Sequence, residues 1–163
     1  MFIQVNPIID YSVRSLCIKP YHNHPKGCPN FNKKEGCPPG AKLFDKYFDL
    51  NQPIYAIYNV FDFKSHVEKM KINPKCVNWS EHQLKCLLYW QPKARKELLV
   101  SIKEFIKEFN IKQKLRYEIV TCPEAMGINI TETMKNIGIE LEWPPENVTY
   151  QIAFAGIRRK DVN

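Results

Sequence analysis

Nowhere in these 163 residues does an apolar run reach the roughly 18 that a membrane-spanning helix needs before a charge or a proline interrupts it. The start, MFIQVNPIID, has no basic leader ahead of a hydrophobic block. Neither pattern suggests export or membrane insertion, so the expected setting is cytoplasmic. There is no Gly-rich phosphate loop, no Ser/His/Asp signature, no convincing pair of carboxylates and no internal repeat, so the motifs name no reaction. Cys-x-x-Cys is also missing, which leaves both the zinc-ribbon and the ferredoxin pattern unmatched.

Acidic residues are outnumbered: 17 Asp and Glu stand against 24 Lys and Arg, for a formal charge of +7. A basic balance permits nucleic-acid or phosphate contacts and also serves solubility, so it does not choose between them. At 44% hydrophobic the chain can bury one core, and its length favours a single domain over 1–163.

What the chain does have is cysteine in an unusual setting. Six cysteines in a reducing compartment are better explained by metal or redox use than by disulfides. Three of them, Cys28, Cys37 and Cys122, are followed directly by proline. Proline fixes its own φ and drives the preceding residue toward extended geometry, which aims a thiol without a helix or ladder to brace it. Cys-Pro steps occur where thiolates hold iron-sulfur clusters. Residues 12–40 form an irregular loop rich in proline, cysteine and lysine, in which a preformed thiolate cage is the expected use of the stiffness.

Cys17, Cys28, Cys37 and Cys122 make the candidate ligand set, three from the loop and the fourth from the end of a predicted strand. Cys86 reads as helix packing, and Cys76 is a reserve ligand or reactive thiol. His22 and His24 can bind metal through imidazole or support a cluster sulfur, whereas His66 and His82 read as surface residues. Lys19, Lys26, Lys33, Lys34 and Lys42 crowd the same loop, where positive charge favours thiolates.

The periodicities predict an edge strand or arm at 2–9, a short helix at 41–48 and a central strand at 53–63. Ser65 with Glu68, and Ser80 with Gln83, have capping-box spacing. Residues 80–109 read as helical, interrupted or kinked at Pro92, with Ala94, Leu98, Leu99, Ile102, Phe105, Ile106 and Phe109 on the apolar stripe. Arg95 falls on the solvated face. Residues 115–159 read as strand, helix and strand: KLRYEIVTCPE, a helix capped by Asn129 and closed near Gly138, then IELEW and TYQIAFAGIR. The expected fold is α/β or α+β, a small mixed sheet covered by helices.

The stretches HPKGCPNFNKKEGCPPG and PEAMGINITETMKNIGIELEW together resemble a family of small proteins of bacteria, archaea and phages described as predicted metal-binding. Its hallmarks are a Gly-Cys-Pro-Asn stretch, a Cys-Pro-Pro and a Glu-Ala-x-Gly-Ile helix start, matched here over about 12–48 and 115–143. The resemblance implies that Cys28 and Cys37 are metal ligands and that Glu124 to Ile130 is a second signature. A further compact ferredoxin-type cysteine run, frequent in the family, is absent.

The expectation is therefore one cysteine-ligated centre, an iron-sulfur cluster ([4Fe-4S]) or a zinc ion, serving electron transfer or a small-molecule substrate. With zinc and four thiolates the site is closed and structural. The alternative is a nucleic-acid- or anion-binding module stapled by zinc, with Tyr21, Phe31 and the basic tail Arg158, Arg159 and Lys160 as contacts. A metal-free thiol enzyme built on Cys122 or Cys76 lacks an adjacent base.

Overall fold

In the computed structural model, which describes residues 1–20 and 25–160, four strands form one sheet in the order β1-β2-β4-β3. They are β1 (Phe2–Val5), β2 (Ile54–Asp62), β3 (Tyr117–Val120) and β4 (Val148–Ile157). Every pairing among them is antiparallel, so the class is α+β and the sheet is not mixed. The alternation along each strand explains the layering. Ile54, Ala56, Phe154 and Val120 face one side, and Ile57, Ala153, Ala155 and Tyr117 face the other.

The second face is covered by α4 (Leu87–Phe105), whose Leu98, Ile102 and Phe105 pack on Ile57 and Ala153. Leu99, expected in the stripe, points to solvent at 52% exposure. Pro92 lies inside this helix on its exposed side, so the interruption expected there is absent. The chain breaks instead at Lys85 and Cys86, between α3 (Glu81–Leu84) and α4. Beyond α4, a π-helical run, Ile106–Lys112, carries Asn110, whose amide donates to the Tyr117 carbonyl and accepts from the Tyr117 N–H. That side chain acts as a short extension of the sheet at the start of β3.

The first face is covered by irregular chain, by α1 (Phe44–Tyr47) and by α5 (Ile130–Lys135). The helix expected over 41–48 is a single turn. It still buries Phe44 and Phe48 completely, with Phe44 edge-on to Phe154. Asn129 caps α5 through Glu132 N–H, and Gly138 lies just beyond it at φ +79°, both as the sequence suggests. The other helix, α2 (Phe63–Lys71), is capped by Asp62 and not by Ser65. Residues 139–143 form no strand.

The capping box of Ser80 and Gln83 is complete in both directions. Removing it with Ser80→Ala should lower stability by about 1 kcal/mol in urea unfolding, the usual worth of an N-cap. Among the described residues no helix is long and apolar enough to cross a membrane.

Candidate metal centre

Three separate segments deliver the four predicted cysteines to one region. Cys17 lies near the end of a 3-10 helix, Tyr11–Ile18, begun by Asp10, whose carboxylate accepts the Ser12 N–H. Cys28 is held against it directly, since the Cys28 N–H donates to the Cys17 carbonyl at 2.7 Å. That approach requires Gly27: its φ is +77°, and a Cβ there would meet the Cys17 carbonyl oxygen at 2.6 Å.

Cys37 sits in a knot of turns. Its N–H donates to Lys34, its carbonyl accepts from Ala41, and Asn32 N–H donates to the Pro38 carbonyl. Arg14, from the 3-10 helix, donates to the carbonyls of Pro39 and Ala41, each at 3.0 Å, and so clamps the far end of the loop to the Cys17 segment.

Cys122 arrives from the sheet. Two residues past β3 it precedes a second 3-10 helix, Pro123–Met126, with Pro123 at its first position, where a missing N–H costs nothing. Backbone bonds from Asp10 N–H to the Gly127 carbonyl, and from Asn129 N–H to the Ile8 carbonyl, hold this turn beside the N-terminal segment. Gly127, at φ +93°, ends the turn against the Tyr11 ring, where a Cβ would come within 2.6 Å of a ring carbon.

Two of the thiols, Cys17 and Cys122, are shifted by their surroundings. Burial pushes the Cys17 thiol above its usual pKa, and Cys28, Cys37, Glu124 and Cys122 push it further. Cys122 is raised by burial and by Glu124, then by Cys37, against a Thr121 hydrogen bond and Arg95, both of which favour its thiolate. Burial also raises the Glu124 carboxyl. Glu124 is nevertheless an exposed residue that lines a cavity. The donors thus lie within electrostatic reach, but among the described residues no three His, Cys, Asp or Glu side chains converge at metal-ligand spacing. The thiols form a loose group and not the preformed cage expected from the prolines.

The remaining candidates separate. Cys76 is buried at 4% exposure in the turn after α2. Cys86 is the half-buried N-cap of α4, which makes no side-chain capping bond, and is not part of a continuous helix. His22, His24 and Tyr21 lie outside the described residues. His66 is half-buried against the Phe61 ring, and burial lowers its pKa. The lysines of the loop face solvent, except that Lys42 lies over the Tyr47 ring at 5.2 Å. In the basic tail, Arg158 also stacks on Tyr47, and Arg159 donates to the Asp45 carbonyl.

Sequence reasoning missed two residues near the thiols. Arg95 had the look of a solvated helix position, and Glu124 of a mere signature residue. The signal available for Glu124 was its place two residues after a Cys-Pro strand end.

One wall of the adjoining cavity is the loop after α5, fixed by Glu142. Its carboxylate accepts the N–H groups of Glu146 and Asn147 and the Asn147 amide, which lowers its pKa to about 2 from the ordinary 4.5. A carboxyl depressed in the folded state contributes stability above its unfolded pKa and loses it as pH falls through the folded one. The stability difference between wild type and Glu142→Gln should be complete above pH 4.5 and vanish as pH approaches about 2, read by acid unfolding.

No curated protein and no solved structure matches the chain. A family model does, over residues 13–157, which takes in all four candidate cysteines, and the chain belongs to the family it describes as predicted metal-binding protein (DUF2284).

Proposed function

We propose that Cys17, Cys28, Cys37 and Cys122 hold one metal centre, an iron-sulfur cluster in preference to zinc, that works on a small molecule or passes electrons. The observation that carries the reading is the bonding that holds their segments together: Cys28 N–H on the Cys17 carbonyl, Arg14 on the Pro39 and Ala41 carbonyls of the Cys37 loop, and Asp10 N–H on the Gly127 carbonyl of the turn after Cys122. Gathering groups that become anionic is costly unless a cation neutralises them, and soft thiolates suit zinc and iron-sulfur centres. Binding would require the thiols to draw inward from their loose grouping. Membership of a metal-binding family supports the same conclusion.

Cys122 supports the preference for a cluster. A four-thiolate zinc site is closed and structural. Here Cys122 is an exposed residue whose partly desolvated thiol side lines a cavity, an arrangement suited to a centre that meets a substrate or a redox partner. Such a centre would supply electron transfer or Lewis-acid activation at the cavity wall.

Anaerobic purification with subsequent elemental analysis and an absorption spectrum tests this. Iron with sulfide, and visible absorption that bleaches in air, is the expected result. Zinc alone would turn the centre into a structural one, and a protein that takes up neither metal after reconstitution would remove the reading.

A further inference from the structure

The cavity beside Cys122 has a topological origin. β3 pairs only with Phe154–Ile157, so the earlier half of β4, from Val148 to Ala153, has no strand on that side. The gap is a space of about 540 Å³, bordered by α4, by β4 and by the loop after α5. Small-ligand sites typically measure about 300–1,000 Å³.

Its lining is divided by chemistry. Leu98, Ile152 and Leu141 supply apolar side chains from three different elements, and Trp143 is 73% exposed. Arg95 and Lys34 bring positive charge from opposite elements, the helix and the cysteine loop. Among the described residues neither side chain forms an ion pair. An arginine fork open to a cavity with some apolar lining suits a planar carboxylate.

Two acids share the wall, and they limit the charge a ligand can carry. Glu142 is turned into its own loop by the backbone N–H groups it accepts, and Glu124 lies on the thiol side. The Glu142 carboxylate offsets one of the two cations, Arg95 and Lys34, and so favours a ligand of single negative charge. A phosphate dianion brings more charge than this lining offsets, while a single carboxylate placed on Arg95 gains a charge-assisted pair and leaves its body against the apolar side chains.

We propose that this cavity is a binding site for a small organic monocarboxylate with an apolar or aromatic body, held by Arg95 and stacked against Trp143, with its far end at Cys122. The site deepens the proposed metal centre and rests on that reading only for what happens at Cys122; the binding itself does not depend on metal.

Benzoate is the probe, with benzamide and phenyl phosphate as comparators, titrated while the Trp143 indole signal is tracked by NMR and assigned with Trp143→Phe. Saturable benzoate binding that shifts Trp143 is expected, weakened about tenfold or more in benzamide and in Arg95→Met, the loss of one charged hydrogen-bonded pair. Arg95 is exposed on a helix, so methionine there should leave the circular dichroism unchanged. Failure of benzoate to saturate, equal affinity in Arg95→Met, or tighter binding of phenyl phosphate would each overturn the proposal. Metal content is measured on the same samples. Arg95-dependent binding in a protein that takes up no metal would leave the pocket standing without the centre, and metal without benzoate binding would do the reverse.

Discussion

Exchanging Cys37 for serine is expected to abolish metal retention, lowering affinity by more than the roughly 10- to 100-fold that loss of a mere outer partner costs a metal site. Serine keeps the backbone bonds that shape the turn, from Cys37 N–H to Lys34 and from Ala41 N–H to Cys37, so the fold around the position should survive. The donor is altered: a hydroxyl is a poor ligand for thiophilic metals, and three remaining thiols leave a site open to solvent. Because ligand binding to the folded state adds directly to stability, the variant should also unfold at lower temperature than the loaded wild type and at about the same temperature as metal-free wild type.

Cys86→Ser is the matched control. Cys86 occupies an N-cap with φ −66° and ψ 131° and makes no capping bond, and serine is among the best residues there. That variant should keep its metal and gain up to about 1 kcal/mol. Elemental analysis and thermal unfolding of the two proteins side by side decide the matter. Equal metal content in both would exclude Cys37 as a ligand.

The strong elements of the fold were legible because local chemistry and tertiary demand agree in them. β2 is rich in β-branched and aromatic residues and is central; α4 carries Ala94, Leu98, Ile102 and Phe105 at one helical face and packs on the sheet. Errors arose where a nearer polar group won the competition for a backbone donor. Asp62 takes the Ser65 N–H that Ser65 and Glu68 were expected to organise. In IELEW the alternation suggests a strand, yet Glu142 folds back on the N–H groups after Pro145 and holds the segment as a loop.

The site was legible in its residue types but not in its surroundings. The prolines after Cys28, Cys37 and Cys122 mark unusual thiols wherever the chain goes. Bringing Cys122 to Cys37, 85 positions away, depends on β4 inserting between β2 and β3, a pairing that no local pattern encodes. Arg95 illustrates the same limit: helical periodicity says that it leaves the core, and only the early end of β3 makes the space outside that helix a cavity.

Phe44→Ala should cost about 3–5 kcal/mol, the range for deleting a fully buried phenyl ring. Phe44 has no solvent exposure, lies 4.7 Å from the Phe48 ring and edge-on to Phe154 in the centre of β4, so truncation leaves a cavity that three elements cannot readily close. Against a total of about 5–15 kcal/mol for a domain, this places the variant near its unfolding limit. The residue also ends the cysteine loop: Cys37 and Ala41 are bonded to each other, Arg14 clamps Ala41, and Phe44 anchors the end of the loop to the sheet. Metal bound by the folded chain alone should therefore restore part of the loss, about 2.7 kcal/mol at a hundredfold excess over Kd. Urea unfolding with and without metal measures this. The recovery should disappear when Cys37→Ser is added to Phe44→Ala, because the anchor then holds a loop with nothing to bind. A metal response that survives in the double variant would mean that the stabilising site lies elsewhere on the chain.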